Sequence, residues 1–159
     1  MIDNADAVKL LDSKRDGAIF VATMNANNVH FGLPTVTSNE KLDFPVSGAM
    51  SKAGDVALGL ALAQPDRKIL CLDGDGSLLM NLGAMVTISN KAPKNLVHVL
   101  FNNNVYAVTG GQPIPGSEQV DWEDMAKSAG YAKVFSFDNL EDMTNGIDEA
   151  LSAVGPVFV

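Results

Sequence analysis

Two nearly continuous apolar runs, Lys68-Ile69-Leu70-Cys71-Leu72 and Leu96-Val97-His98-Val99-Leu100-Phe101, limit the possible folds more than any other feature of this chain. A strand with one face in water alternates apolar and polar residues. A strand covered on both faces does not, and such strands belong to parallel sheets flanked by helices. Between the two runs, Ser77 to Asn90 carries Leu78, Leu82, Met85 and Val86 at helical offsets, which supplies the crossover that a parallel pair requires. Further helices are expected over about Asn4 to Lys14, with Gly17 just past its end, and over Met50 to Ala63, Trp122 to Ala129 and Leu140 to Leu151. Ala18 to Ala22 and Lys133 to Phe137 read as extended, Pro156 to Val159 as the start of a last strand, and Asn25 to about Glu40 as a polar loop. The expected fold is α/β, three layers built on a mostly parallel sheet, in one domain over residues 1–159.

Polar residues gather where the two buried runs end. The first leads into Gly74-Asp75-Gly76-Ser77 and the second into Asn102-Asn103-Asn104-Val105-Tyr106. Ligands of open parallel sheets bind outside the carboxyl ends of the strands, and one crossover puts Asp75 and Asn103 side by side at that edge. A carboxylate, an amide carbonyl and a backbone carbonyl are hard oxygen donors of the kind magnesium takes, with phosphates and water completing its shell. Gly74 and Gly76 let the backbone turn tightly, and Ser77 with the first amides of the following helix suits bound phosphate. The pattern is a magnesium diphosphate site. It lacks the Lys-Ser or Lys-Thr pair of a Walker A loop and the third glycine of a nicotinamide fingerprint.

Asp75 and Asn103 lie 28 residues apart, each ending an apolar strand around one helix. In this the sequence resembles the thiamine-diphosphate enzyme superfamily, from about Pro45 to Gln112. The resemblance implies that Asp75 and Asn103 hold Mg2+ through their side chains and Val105 through its carbonyl. Tyr106, the aromatic expected three residues after the ligand, selects Asn103 from its neighbours. Ser47-Gly48-Ala49-Met50 resembles the loop that places a bulky apolar residue under the cofactor, so Met50 is the implied wedge that bends thiamine diphosphate, with Gly48 and Ala49 beside it. Gly74, Gly76, Ser77 and Tyr106 complete the implied cofactor set.

Such enzymes activate the thiazolium with a glutamate carried by a separate pyrimidine-binding domain. A chain of 159 residues has no room for both domains, so the resemblance implies an α subunit as partner, in an α2β2 or larger assembly with this chain as β. Tyr106 to Gln112 is similar to the phosphonopyruvate and sulfopyruvate decarboxylases, which implies decarboxylation of a small 2-oxo acid with Thr109 and Gln112 toward the substrate. Two departures stand out. Ser51 occupies a position where glycine is usual, and the loop from Thr23 to His30 lacks a Ser-Arg-Glu stretch. Arg15 and Arg67 are the only arginines, and neither is near the expected edge, which leaves Lys52 or the partner to meet an anionic substrate. His30, in the loop on that edge, is a candidate acid or base. His98 reads as a core residue with a satisfied hydrogen bond, and Asp121, Glu123 and Asp124 as the acidic first turn of a helix.

A net charge of −8 and scattered Lys and Arg argue against nucleic acid or anionic membrane as partner. No apolar stretch is long enough to span a bilayer, the first residues lack a signal peptide's pattern, and Cys71 is the one cysteine, so a cytoplasmic protein is expected. Alternative functions are an acetolactate-synthase-like carboligase subunit and a non-catalytic cofactor-binding regulatory subunit. A β chain of a 2-oxoacid:ferredoxin oxidoreductase is disfavoured, because the cysteines for an iron–sulfur cluster are absent.

Overall fold

The computed structural model describes residues 2–23 and 37–159. Its centre is a six-stranded sheet built from β1 (Ile19–Ala22), β2 (Asp43–Pro45), β3 (Ile69–Gly74), β4 (Leu96–Phe101), β7 (Lys133–Val134) and β8 (Val157–Phe158). The spatial order is β2-β1-β3-β4-β8-β7, and every neighbouring pair runs parallel. A separate antiparallel hairpin joins β5 (Val105–Tyr106) to β6 (Gln112–Pro113). The helices are α1 (Asn4–Ser13), α2 (Ala53–Ala63), α3 (Asp75–Leu79), α4 (Gly83–Lys91), α5 (Trp122–Ala129) and α6 (Leu140–Ser152).

The apolar runs behave as buried parallel strands. All six residues of β3 are buried, and alternate side chains enter different cores. Leu70, Leu72, Val97, Val99 and Phe101 pack with Val8 and Leu11 of α1 and Met143 and Ile147 of α6. Ile69, Cys71 and Leu96 pack with Ala57 of α2, Met85 and Ile88 of α4 and Trp122 of α5. These two cores, one on each face of the sheet, make the expected three-layer α/β arrangement.

Local boundaries differ from expectation in instructive ways. The helix expected over Met50 to Ala63 begins only at Ala53, because Ser51 is left-handed with φ 73° and cannot continue a right-handed turn. The helix expected over Ser77 to Asn90 is two helices. Between them the amides of Asn81, Ala84 and Met85 bond to carbonyls three residues back, the tighter 3₁₀ pattern. Gly17 does not follow α1 directly. α1 is capped at Lys14, and Gly17, at φ 75°, lies beyond it in the turn into β1. Of Lys133 to Phe137, only Lys133 and Val134 form a strand, with the amide of Phe135 still bonded to Phe158.

Strand β2 and hairpin β5–β6 were not expected at all. Asp-Phe-Pro is not an apolar run and its Phe44 and Pro45 are exposed, and it becomes a strand only by pairing with Phe20, Val21 and Ala22. Arg15 fixes that edge. Its guanidinium donates to the carbonyl of Leu42 and the carboxylate of Asp43, and its Nε to the carbonyl of Ala18. The same group lies 4.1 Å from the centre of the Phe20 ring and 3.3 Å from Asp12, so it belongs to the scaffold and not to a binding edge.

From β1 the chain crosses outward to β2, then returns across β1 to β3. The connections from the adjacent strands β1 and β3 therefore leave in opposite directions, and the crevice between their carboxyl ends is where such sheets bind ligands.

Candidate functional site

The residues at that crevice are the ones singled out by the sequence. Asp75 opens α3 directly after β3, and its carboxylate ties the ends of two strands together. One oxygen accepts from the amide of Gly76 at 2.8 Å. The other accepts from the amides of Asn103 at 3.0 Å and Asn104 at 2.6 Å. Burial pushes the Asp75 carboxyl above its ordinary range, while the amides of Asn104, Gly76 and Asn103 hold it down. Those amides favour the charged form, because each donates to it.

Asn103 Oδ1 accepts from the amide of Val105 at 3.0 Å. Asn104 sits in the left-handed region at φ 60°, and its Oδ1 is buried with no hydrogen-bond partner. A buried carbonyl oxygen of that kind is costly unless something bonds to it. Asp75 and Asn103 carry oxygen donors of the kind a small divalent cation takes, although Asn103 and Asn104 line a different cavity from Asp75.

The hairpin covers the turn. A Cβ built on Gly76 lies 2.5 Å and 2.9 Å from ring carbons of Tyr106 and 3.0 Å from Ile114 Cδ1. Gly76→Ala is therefore expected to push the hairpin off the turn and to cost about 1–3 kcal/mol, read as a lower urea midpoint; an unchanged midpoint would mean that the ring does not rest there.

A small cavity remains, lined by Thr23 from the end of β1, Met50, the turn Gly74 to Ser77, and Val105 to Thr109. Met50, Gly74, Asp75, Gly76, Ser77, Val105, Tyr106 and Thr109 are thus brought together. Gly48 and Ala49 lie in the approach to Met50 but not in the wall, and Gln112 is an exposed residue behind it. Gln112 and Thr109 clasp each other instead: Gln112 Nε2 donates to the Thr109 carbonyl at 2.8 Å, and Thr109 Oγ1 lies 3.1 Å from Gln112 Oε1. His30 lies outside the described residues. Lys52 is exposed, 3.5 Å from Asp55, and does not line the cavity.

Ser77 has a double role. Its hydroxyl accepts from the amide of Ser51 at 2.9 Å, which leaves the hydroxyl proton free to donate into the site. Helix α3 spans only five residues, too few to build the macrodipole expected from one continuous helix. The Gly74 and Gly76 amides are taken by Asp73 and Asp75, so the Ser77 hydroxyl is the turn's side-chain donor for an anion. Thr23 was missed by the sequence reading, although the run from Ala18 to Ala22 ends beside it on the same edge.

Two other expectations have clear outcomes. His98 is fully buried, with Nδ1 2.8 Å from the Tyr131 hydroxyl. Its Nε2 has no hydrogen-bond partner and lies 3.5 Å from Asp73, so only half of the expected satisfaction is met. Asp121 caps α5 by accepting from the amide of Asp124 at 2.9 Å, and Glu123 and Asp124 occupy its first turn.

Comparison with known proteins agrees with this geometry. The chain is 36% identical over 150 residues to phosphonopyruvate decarboxylase of Streptomyces viridochromogenes, matching 94% of this chain and 36% of that protein. It is 41% identical over 115 residues to sulfopyruvate decarboxylase subunit beta of Methanothermobacter thermautotrophicus, matching 72% of this chain and 58% of that one. The thiamine diphosphate-dependent 4-hydroxybenzoylformate decarboxylase of Rhodococcus jostii superimposes with a TM-score of 0.77 at 25% identity, covering 98% of this chain and 31% of that chain. The chain accordingly spans 31% to 58% of the length of these three proteins. Residues 21–159 match the family described as thiamine pyrophosphate enzyme, C-terminal TPP binding domain. With that match running over more than half of the sequence, onto a parallel sheet in which Asp75 ties the end of β3 to the Asn motif after β4, the chain belongs to the thiamine pyrophosphate enzyme family.

Proposed function

We propose that the chain is the diphosphate-binding β subunit of a two-chain decarboxylase acting on a small 2-oxo acid of the sulfopyruvate or phosphonopyruvate type, with residues 1–159 forming its one cofactor domain. The observation that carries the reading is the Asp75 carboxylate at the switch point, buried and bonded to the amides that begin the Asn motif. Relatives named as phosphonopyruvate decarboxylase and as sulfopyruvate decarboxylase subunit beta support the reaction class and the subunit role.

In this reading Asp75, Asn103 and the Val105 carbonyl would hold Mg2+. Ser77 donates to the diphosphate. Bound thiamine diphosphate supplies the nucleophilic carbon and the electron sink that release CO2 from a 2-oxo acid. The chain's own residues do the positioning. Met50, which lines the same cavity as Tyr106, would set an apolar side chain against the cofactor, and Thr109, its backbone carbonyl clasped by Gln112, would face the substrate.

The glutamate that activates the cofactor comes from a pyrimidine-binding α subunit. Met80, at the end of α3, and Val108, on the cavity wall, are exposed apolar residues of the kind a partner chain covers. The test is to co-express the chain with its genomic neighbour and measure CO2 release from sulfopyruvate, phosphonopyruvate and pyruvate, with and without thiamine diphosphate and Mg2+. Release that needs both cofactors and favours the anionic substrates is expected. Tight cofactor binding without CO2 release would overturn the decarboxylase assignment, and formation of a two-carbonyl adduct would replace it with a carboligase.

A further inference from the structure

We infer that Asn81 is a positioning residue that sets Met50 in the site by holding the strained backbone of Ser51. The inference rests on the cofactor reading above for its function, but its structural half stands independently.

The link begins with an oddity of sequence. Ser51, next to the assigned wedge residue, has φ 73°, a conformation that suits glycine better than serine. L-residues adopt this left-handed conformation at a cost of about 1–2 kcal/mol, so something must hold it. Both backbone polar groups of Ser51 are held by side chains from more than twenty residues away. Its amide donates to Ser77 Oγ at 2.9 Å. Its carbonyl accepts from Asn81 Nδ2 at 3.2 Å.

The same Asn81 amide nitrogen donates to Asp55 Oδ2 at 3.1 Å. Asp55 lies in the first turn of α2, the helix that Ser51 precedes. One amide group thereby pins both the strained residue and the start of the helix after it, using its two protons. The break between α3 and α4 is what makes this possible, because it places Asn81 in the 3₁₀-like turn beside Ser51 and not on a continuous helix. Met50, the neighbour of Ser51, lines the cavity with Ser77. Ser77 therefore links the wedge loop to the phosphate side of the site, and Asn81 locks the loop from behind without touching the cavity itself.

The consequence is a division of labour. Without Asn81 the left-handed Ser51 is free to relax, and Met50 loses its fixed place against the thiamine rings while the Asp75 side keeps its diphosphate donors. Ligand binding must then reorder the loop, which weakens affinity for the ligand that carries the rings.

The test has two parts. In the chain labelled at the methionine methyls, seven resonances are available, and Met50→Leu assigns the relevant one. Asn81→Ala is expected to make the Met50 methyl mobile while the other methionines and the thermal midpoint stay near wild type. Ser51→Gly introduced into Asn81→Ala is expected to restore Met50 order, since glycine takes φ 73° without strain. In the co-expressed complex, Asn81→Ala is expected to weaken binding of thiamine diphosphate with Mg2+ by about tenfold, and binding of inorganic diphosphate with Mg2+ by less than about twofold. An unmoved Met50 resonance, equal loss for both ligands, or no rescue by Ser51→Gly would overturn the positioning role. A wild-type complex that binds neither ligand overturns the cofactor reading instead, and the methyl spectra still decide the role of Asn81.

Discussion

Replacing Asp75 by alanine is expected to lower cofactor-dependent turnover by more than a hundredfold. Loss of groups that merely support a metal ligand costs about 10–100-fold in metal affinity, and Asp75 is assigned as a ligand itself. The alanine variant also leaves the amides of Gly76, Asn103 and Asn104 without their acceptor, so some of its loss is structural, about 1–3 kcal/mol. Asp75→Asn separates the two effects. The amide keeps an acceptor oxygen and the shape of the side chain but removes the charge that binds Mg2+. We expect its urea midpoint to lie nearer wild type than that of alanine, while magnesium affinity, followed by calorimetry, falls as steeply. Turnover that survives in Asp75→Asn would remove the metal from its assigned place.

The second large effect falls far from the cavity. Arg15→Ala is expected to destabilise the fold by about 3–5 kcal/mol, measured by urea unfolding. Arg15 and Asp43 are both almost entirely buried, with side-chain exposures of 5% and 4%, so deleting the guanidinium strands a carboxylate away from water. The carbonyls of Ala18 and Leu42 lose their donors as well. Arg15→Met alone should be nearly as damaging. Combined with Asp43→Leu it should recover much of the loss, because apolar replacement of both members of a buried pair is often close to neutral. A double variant no better than the single one would show that the hydrogen bonds to the two carbonyls, and not the stranded charge, dominate. The site would feel this change too, since β2 leads through Val46 into the loop that ends at Met50.

The fold was legible from a few segments because burial leaves a mark on sequence. A strand covered on both faces must be apolar throughout, and Ile69 to Leu72 and Leu96 to Phe101 carry that mark. α5 and α6 could be read because Trp122, Ala126, Met143, Ile147 and Ala150 face the sheet at helical spacing. The candidate site could be read from Asp75 and Asn103 for a related reason: both end buried strands joined by one crossover, so local spacing already implies that they meet.

Other features depend on partners distant in the chain and leave no local mark. β2 is a strand because the edge of β1 offers it hydrogen bonds and Arg15 anchors it, although Asp-Phe-Pro has no strand pattern. The hairpin over Gly76 exists because Tyr106 and Ile114 find a residue without a Cβ to rest on. The sequence alone determined the layered α/β class, the strand ends that carry the cofactor motif and the residue types available there. Only the tertiary structure decided that the helix after Asp75 breaks, that Asn81 turns back onto Ser51, and that Thr23 shares a wall with Met50. Asn81 and Ser51 lie 30 residues apart, and periodicity, which reports only which face of an element is buried, carries no information about which distant residue that face will meet.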